Sequence, residues 1–229
     1  MNARKLIIAI DGPAGAGKSS IASRLARKLG YINIETGAMY RALALKAVEE
    51  DVDFENETAL VALAERSHIT LQPTMEGNRV LLDGIEVSAR IRERDVTEAA
   101  SKVSVHPGVR AWMVARQRQM GAAGGVVMEG RDIGTKVFPD ADVKIFLDAA
   151  PEVRGDRRFR QQSATSETKS AAVVAEMRAR DQRDRTRPNS PLLPAPDAAI
   201  IDSTNLNIEQ VMERVEALIA ARQVVGSRE

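Results

Sequence analysis

KLIIAIDGPAGAGKSS, residues 5–20, holds an apolar run, a glycine-punctuated turn and the start of a helical pattern. The run from Lys5 to Asp11 is rich in β-branched residues and bounded by Gly12 and Pro13, which predicts a short buried strand. Beyond Gly17 the apolar residues Ile21, Leu25 and Leu29 recur every four positions, and Gly30 closes the pattern, which predicts a helix with a glycine stop. Between the two, Gly12-Pro13-Ala14-Gly15-Ala16-Gly17-Lys18-Ser19 fits G-x-x-x-x-G-K-[ST] without a mismatch, in the strand–loop–helix setting that the motif requires. The glycines let successive backbone N–H groups converge, the helix N-terminus adds positive potential, and Lys18 supplies a mobile charge. Gly12 to Gly17, Lys18, Ser19 and Ser20 are therefore candidate phosphate-binding residues, with the Ser19 hydroxyl placed to meet a divalent cation.

Working outward, helical patterns run over 39–50, 57–66, 93–105, 107–120 and 208–222. Short strands are expected at 69–71, 80–82 and 85–87, separated by the turn signals Glu76-Gly77-Asn78 and Asp83-Gly84, which reads as a small antiparallel insertion. Further buried strands are expected at 126–128, 143–147 and 198–201, and helices flank the polar stretch 163–170. Strands alternating with helices imply an α/β fold, a three-layer core around a mostly parallel sheet. The expected organisation is one domain: core 1–61, 122–153 and 188–229, an acceptor-binding insert at about 62–121, and a helical, arginine-rich lid at about 154–187.

At 229 residues, with 44% hydrophobic and 28% charged residues, the chain is long enough for one sizeable core. The lack of cysteine excludes disulfides and thiolate metal sites, and two histidines leave little for zinc, so a metal would take oxygen ligands. His68 and His106 read as turn or surface residues, and the methionines and Trp112 as core filling. No run is long enough for a membrane span or a signal-peptide core, which implies a cytoplasmic protein. A net charge of +1 argues against a general nucleic-acid surface. Charge is nonetheless concentrated: nine arginines lie between Arg154 and Arg187, five of them at Arg178, Arg180, Arg183, Arg185 and Arg187.

A GTPase would carry an N-K-x-D motif and an ABC-type ATPase its signature segment; neither occurs, which leaves a small-molecule kinase. Such an enzyme needs a second anion site facing the phosphate loop, since the acceptor must be held in line while charge is neutralised. The segments Asp11–Ser19, Thr36-Gly-Ala-Met-Tyr-Arg41, Gly130-Arg-Asp-Ile-Gly-Thr135, Val137-Phe-Pro-Asp140, Lys144-Ile-Phe-Leu-Asp148 and Arg180-Asp-Gln-Arg-Asp-Arg-Thr-Arg187 resemble, in order and spacing, the bacterial cytidylate kinases. The resemblance covers nearly the whole chain and includes the hairpin insert. It implies an enzyme that uses ATP and Mg²⁺ to phosphorylate CMP and dCMP, and an acceptor pocket closed by two mobile elements fits a monomer. On this resemblance Arg41, Arg131 and Arg187 grip the acceptor phosphate, Ser101, Arg110 and Asp132 read the cytosine, and Arg180 and Asp184 meet the ribose. Thr36 and Tyr40 line the same pocket. Lys18, Arg131, Arg180, Arg183 and Arg187 would stabilise the transferred phosphoryl, with the arginine-rich segment closing as a lid.

The sequence departs from the resemblance at Glu35, where Asp is expected; the extra methylene moves the carboxylate by about one bond length. Glu129, before Gly130, is a second acidic candidate beside the phosphates. The rival readings are a kinase for another monophosphate such as UMP, and a nucleotide-binding protein that transfers nothing. Arg178 to Arg187 also has a plainer reading, as a solvated helix laced by i,i+3 and i,i+4 ion pairs.

Overall fold

A computed structural model describes residues 5–74, 77–162 and 170–226. Glu76 of the first expected turn, and the polar stretch 163–170 apart from Ser170, lie outside the described residues.

Five strands form a wholly parallel sheet: β1 (Ile7–Asp11), β2 (Ile32–Glu35), β6 (Val126–Gly130), β7 (Val143–Asp148) and β8 (Ala199–Asp202), in the order β2-β6-β1-β7-β8. Sequence reasoning located four of these and missed β2. Alternation along the strands distributes side chains to both faces: Ala9, Val126 and Met128 join one apolar cluster, while Ile8, Ile10 and Val127 join the other. On the second face lie α1 (Lys18–Leu29) and α8 (Ile208–Gly226), contributing Ile21, Leu25, Val215 and Ile219. The first face is covered by α2 (Thr36–Glu49), whose Met39 and Leu43 are fully buried.

Packed on this first cluster are α3 (Glu57–Glu65), which begins ahead of the expected insert, then an antiparallel sheet of β3 (Ile69–Thr74), β4 (Gly77–Leu82) and β5 (Ile85–Glu86), and α4 (Arg94–Val103) and α5 (Pro107–Gly121). Asp83 and Gly84 both have positive φ, 51° and 87°, as the tight turn between β4 and β5 requires. Leu60, Leu82, Val96, Val103 and Met113 continue the core cluster, so the insert shares the sheet's core.

Because all five strands of this parallel sheet run the same way, Asp11, Glu35, Glu129, Gly130 and Asp148 lie together at its carboxyl end. Successive strands depart to opposite sides of β1, which opens a crevice there, the usual place for a ligand on an open α/β sheet. Gly12 turns out of β1 at φ 145°, and a Cβ there would meet the Leu147 carbonyl oxygen at 2.0 Å, so the loop's first position admits only glycine. Above the crevice lie α6 (Pro151–Gln162) and α7 (Ser170–Thr186), packed together where Gly155 meets Val174.

Candidate active site

A cavity of about 1190 Å³ opens at this end of the sheet. Ala14 to Ser20 form its floor, in the loop after β1 and the first turn of α1. Gly12 and Pro13 shape the loop from outside the lining; the Pro13 carbonyl accepts a 2.7 Å bond from Lys18 Nζ. Burial first, then the nearby Arg131 charge, pull the Lys18 pKa down, against Glu129 and Asp11, which favour its cation.

Thr36, Tyr40 and Arg41 come from one face of α2, and the Thr36 hydroxyl donates to the Glu129 carbonyl at 2.7 Å, tying that helix start to the end of β6. Ser101 is supplied by α4, Arg110 by α5, and Arg131 and Asp132 by the chain leaving β6. Arg110 Nη2 lies 2.5 Å from Asp132 Oδ2, both side chains buried, and the Arg110 guanidinium sits over the Tyr40 ring at 5.6 Å. Burial, the leading cause, pushes the Tyr40 phenol up to about 12 and keeps it neutral.

Arg180, Arg183, Asp184 and Arg187 reach the cavity from α7 and the residue just beyond it. Their spacing of i, i+3, i+4 and i+7 is one helical face. Arg178 and Arg185 fall on another face, paired with Glu152 and, at 3.6 Å, with Asp148. The solvated-helix reading therefore fits only part of the run. Asp181 and Asp184 are buried and pair across elements, Asp181 with Arg154 at 2.6 Å and Asp184 with Arg131 at 2.9 Å. Burial works against ionisation of Asp184, but Arg131, Arg180 and Arg187 outweigh it and hold the carboxyl below its usual range. Arg180, half-buried, is lowered to about 10 by desolvation first and then by the neighbouring Arg131 charge.

Every candidate binding or catalytic residue named from the resemblance and the phosphate-loop motif, except Gly12 and Pro13, thus lines one cavity, phosphate loop on one side and arginines on the other. The model described as cytidylate kinase matches residues 8–221. The chain belongs to the cytidylate kinase family. The cytidylate kinase of Enterococcus faecalis is 49% identical over 94% of this chain and 96% of that protein, and the cytidylate kinase of Solibacter usitatus is 48% identical over 97% and 96%. An uncharacterized protein from Eubacterium ventriosum of solved structure aligns with a TM-score of 0.52 at 11% identity, over 94% of this chain and 99% of that one, a likeness of fold alone. No described helix is long and apolar enough to cross a membrane.

Within this cytidylate kinase family member, several site residues escaped sequence reasoning. Asp11 accepts 2.8 Å bonds from the backbone N–H groups of Ile133 and Gly134, so it, rather than Asp132, ties down the loop after β6. Burial raises the Asp11 pKa to about 6. Arg157 donates to the Ser203 carbonyl at 2.8 Å and to its hydroxyl at 3.1 Å, and both residues line the cavity beside the phosphate loop. Arg154 donates to the Ala14 and Ala149 carbonyls while pairing with Asp181, which joins α7 to the phosphate loop. Sequence reasoning counted both arginines in the cluster without a role. His106 Nε2 lies 2.6 Å from the Phe54 carbonyl and His68 is exposed, both away from the cavity.

Proposed function

We propose that the chain transfers the γ-phosphoryl group of ATP to CMP and dCMP, giving ADP with CDP or dCDP. The observation that carries the reading is the facing of a phosphate loop and a set of arginines across one cavity, with the buried Arg110–Asp132 pair at the acceptor end. A cytosine amino group donates where uracil presents a carbonyl, so an ionised Asp132 favours CMP over UMP. A protein that only bound nucleotide would have little use for Arg180, Arg183 and Arg187 on a single helical face.

In this reading the backbone N–H groups of Ala14 to Ser19 and the Lys18 ammonium hold the donor phosphates. Arg41 and Arg131 hold the acceptor phosphate, whose oxygen attacks in line. Arg180, Arg183 and Arg187 neutralise charge on the transferred group as α6 and α7 close and exclude water. Asp184 and Arg180 meet the ribose, Thr36 and Tyr40 wall the acceptor, and Ser101 stands beside the base. All of these residues belong to one chain, so the site is complete without a partner subunit, in keeping with the monomeric, cytoplasmic enzyme we propose.

The donor set around Ser19 fits Mg²⁺, which takes one or two carboxylates and completes its shell with phosphate and water. Glu129 is buried beside the Ser19 hydroxyl, and its Oε1 has no partner among the described residues. Burial first and then the Glu35 charge raise the Glu129 pKa, against Lys18, the Ser19 hydroxyl and Arg131, which offset them only in part. When bound there the cation would screen the donor phosphates, with Ser19 as direct ligand and Glu129 and Glu35 beside it.

Replacing Arg41 or Arg131 by alanine is expected to raise the CMP KM about tenfold and leave the ATP KM within about twofold, since a charge-assisted contact to the acceptor is lost. Initial-rate measurements with each substrate varied in turn check this. A change confined to the ATP constant would assign these arginines to the donor.

A further inference from the structure

Glu35 ends β2 and occupies the position before the first residue of α2, where a shorter acidic side chain would cap the helix. Its side chain makes no capping bond. The additional methylene carries the carboxylate along the helix to Arg41, with Oε1 2.5 Å from Arg41 Nη2 and the two side chains 18% and 16% exposed. Nη2 belongs to both two-donor edges of a guanidinium, and Arg41 Nε is buried without a partner among the described residues. Nη2 has one N–H for each edge, so a phosphate taking Arg41 in the bidentate manner shares that nitrogen with the Glu35 carboxylate, and the two anions repel each other there. On its other side, Glu35 is the register partner of Glu129 across the parallel β2–β6 pair, so the two carboxylates stand at neighbouring strand ends beside Ser19.

We propose that Glu35 exchanges partners during the catalytic cycle, holding Arg41 until the acceptor phosphate takes it and then turning its charge toward the divalent cation beside Glu129. This deepens the (d)CMP kinase reading and rests on it. Displaced by a phosphate dianion, Glu35 is left as a second carboxylate next to Glu129, an arrangement that like-charge repulsion disfavours and a cation relieves. Acceptor and cation binding are thereby coupled, and the coupling is reciprocal: each ligand tightens the other by the same factor. Glu35 acts on the acceptor through Arg41 and is a positioning residue.

Calorimetric titration of the full chain with CMP, with and without saturating Mg²⁺ and a non-hydrolysable ATP analogue, measures this without turnover. The wild-type chain is expected to bind CMP at least about fivefold tighter with the cation and analogue present. Glu35→Gln, which keeps the size and removes the charge, is expected to bind CMP more tightly than wild type when the cation is absent, and to lose most of the gain when it is added. Glu35→Asp, which keeps the charge but shortens the reach to Arg41, is expected to bind CMP more tightly without the cation and, with no hold on Arg41 for the cation to release, to lose most of the gain as well. Weaker CMP binding by Glu35→Gln in the absence of cation would show that Glu35 supports Arg41, and would overturn the exchange. So would equal coupling in all three proteins. Failure of the functional reading looks different: the wild-type chain would then not bind CMP under either condition.

Discussion

Lys18→Ala is expected to lower turnover by about a thousandfold while the thermal midpoint stays within a few degrees of wild type. Lys18 is buried against the floor of the cavity, its ammonium anchored on the Pro13 carbonyl at 2.7 Å, close to Arg131 and opposed by Glu129 and Asp11. Burial and Arg131 disfavour its charge in the protein, so that charge adds little to stability and is available to the phosphates that would settle beside it. Removing one preorganised electrostatic contact to a transferring group costs on the order of a hundredfold to a thousandfold in rate. Lys18 also sits in the first turn of α1, where alanine is compatible with the helix. Single-turnover rates and a melting curve on the same sample measure both effects. A variant retaining more than about a tenth of wild-type turnover would contradict the phosphate-loop role.

Asp132→Asn is expected to lower kcat/KM for CMP and to shrink the preference for CMP over UMP, by roughly tenfold to several hundredfold. The carboxylate spends one oxygen on Arg110 at 2.5 Å, and the N–H groups of the loop that follows are taken by Asp11. Asp132 is therefore free of the anchoring duty that short loops commonly give an aspartate. In the proposed reading its remaining oxygen would accept from the cytosine amino group and repel the uracil carbonyl. An amide keeps the size and donates to that carbonyl, so the CMP rate falls while the UMP rate holds or rises. Competition between the two acceptors in one vessel, read as the ratio of diphosphates formed, checks the sign directly. An equal fall for both would show that the base is read elsewhere.

The phosphate loop was legible because its chemistry is local: eight consecutive residues fix the turn, the helix start and the lysine together. The arginines of α7 were legible as a cluster, but their division into a cavity face and an outer face follows from helical phase, which places Arg180, Arg183 and Arg187 together and sends Arg178 and Arg185 elsewhere. The strand β2 was missed because Ile-Asn-Ile-Glu alternates over only four residues, too few to stand out, and lies on an edge strand with Ile32 half exposed; what makes it a strand is pairing with β6, 94 residues along the chain at Ile32 and Val126. The roles of Asp11, Arg154 and Arg157 were invisible for the same reason. Asp11 meets backbone 122 and 123 residues away and Arg157 meets Ser203, contacts that carry no periodic signature. Glu35 was visible as a departure in length, but its contact with Arg41 depends on how α2 leaves the sheet.

ADP release coupled to a panel of CMP, dCMP, UMP, AMP and no acceptor, at fixed ATP and Mg²⁺, tests the proposed activity most directly. Rapid release with CMP and dCMP is expected, with UMP at least about tenfold slower by kcat/KM and only a trace without acceptor, since the proposed closure of α6 and α7 would exclude water as an acceptor. Equal or faster release with UMP or AMP, or release independent of any acceptor, would contradict it.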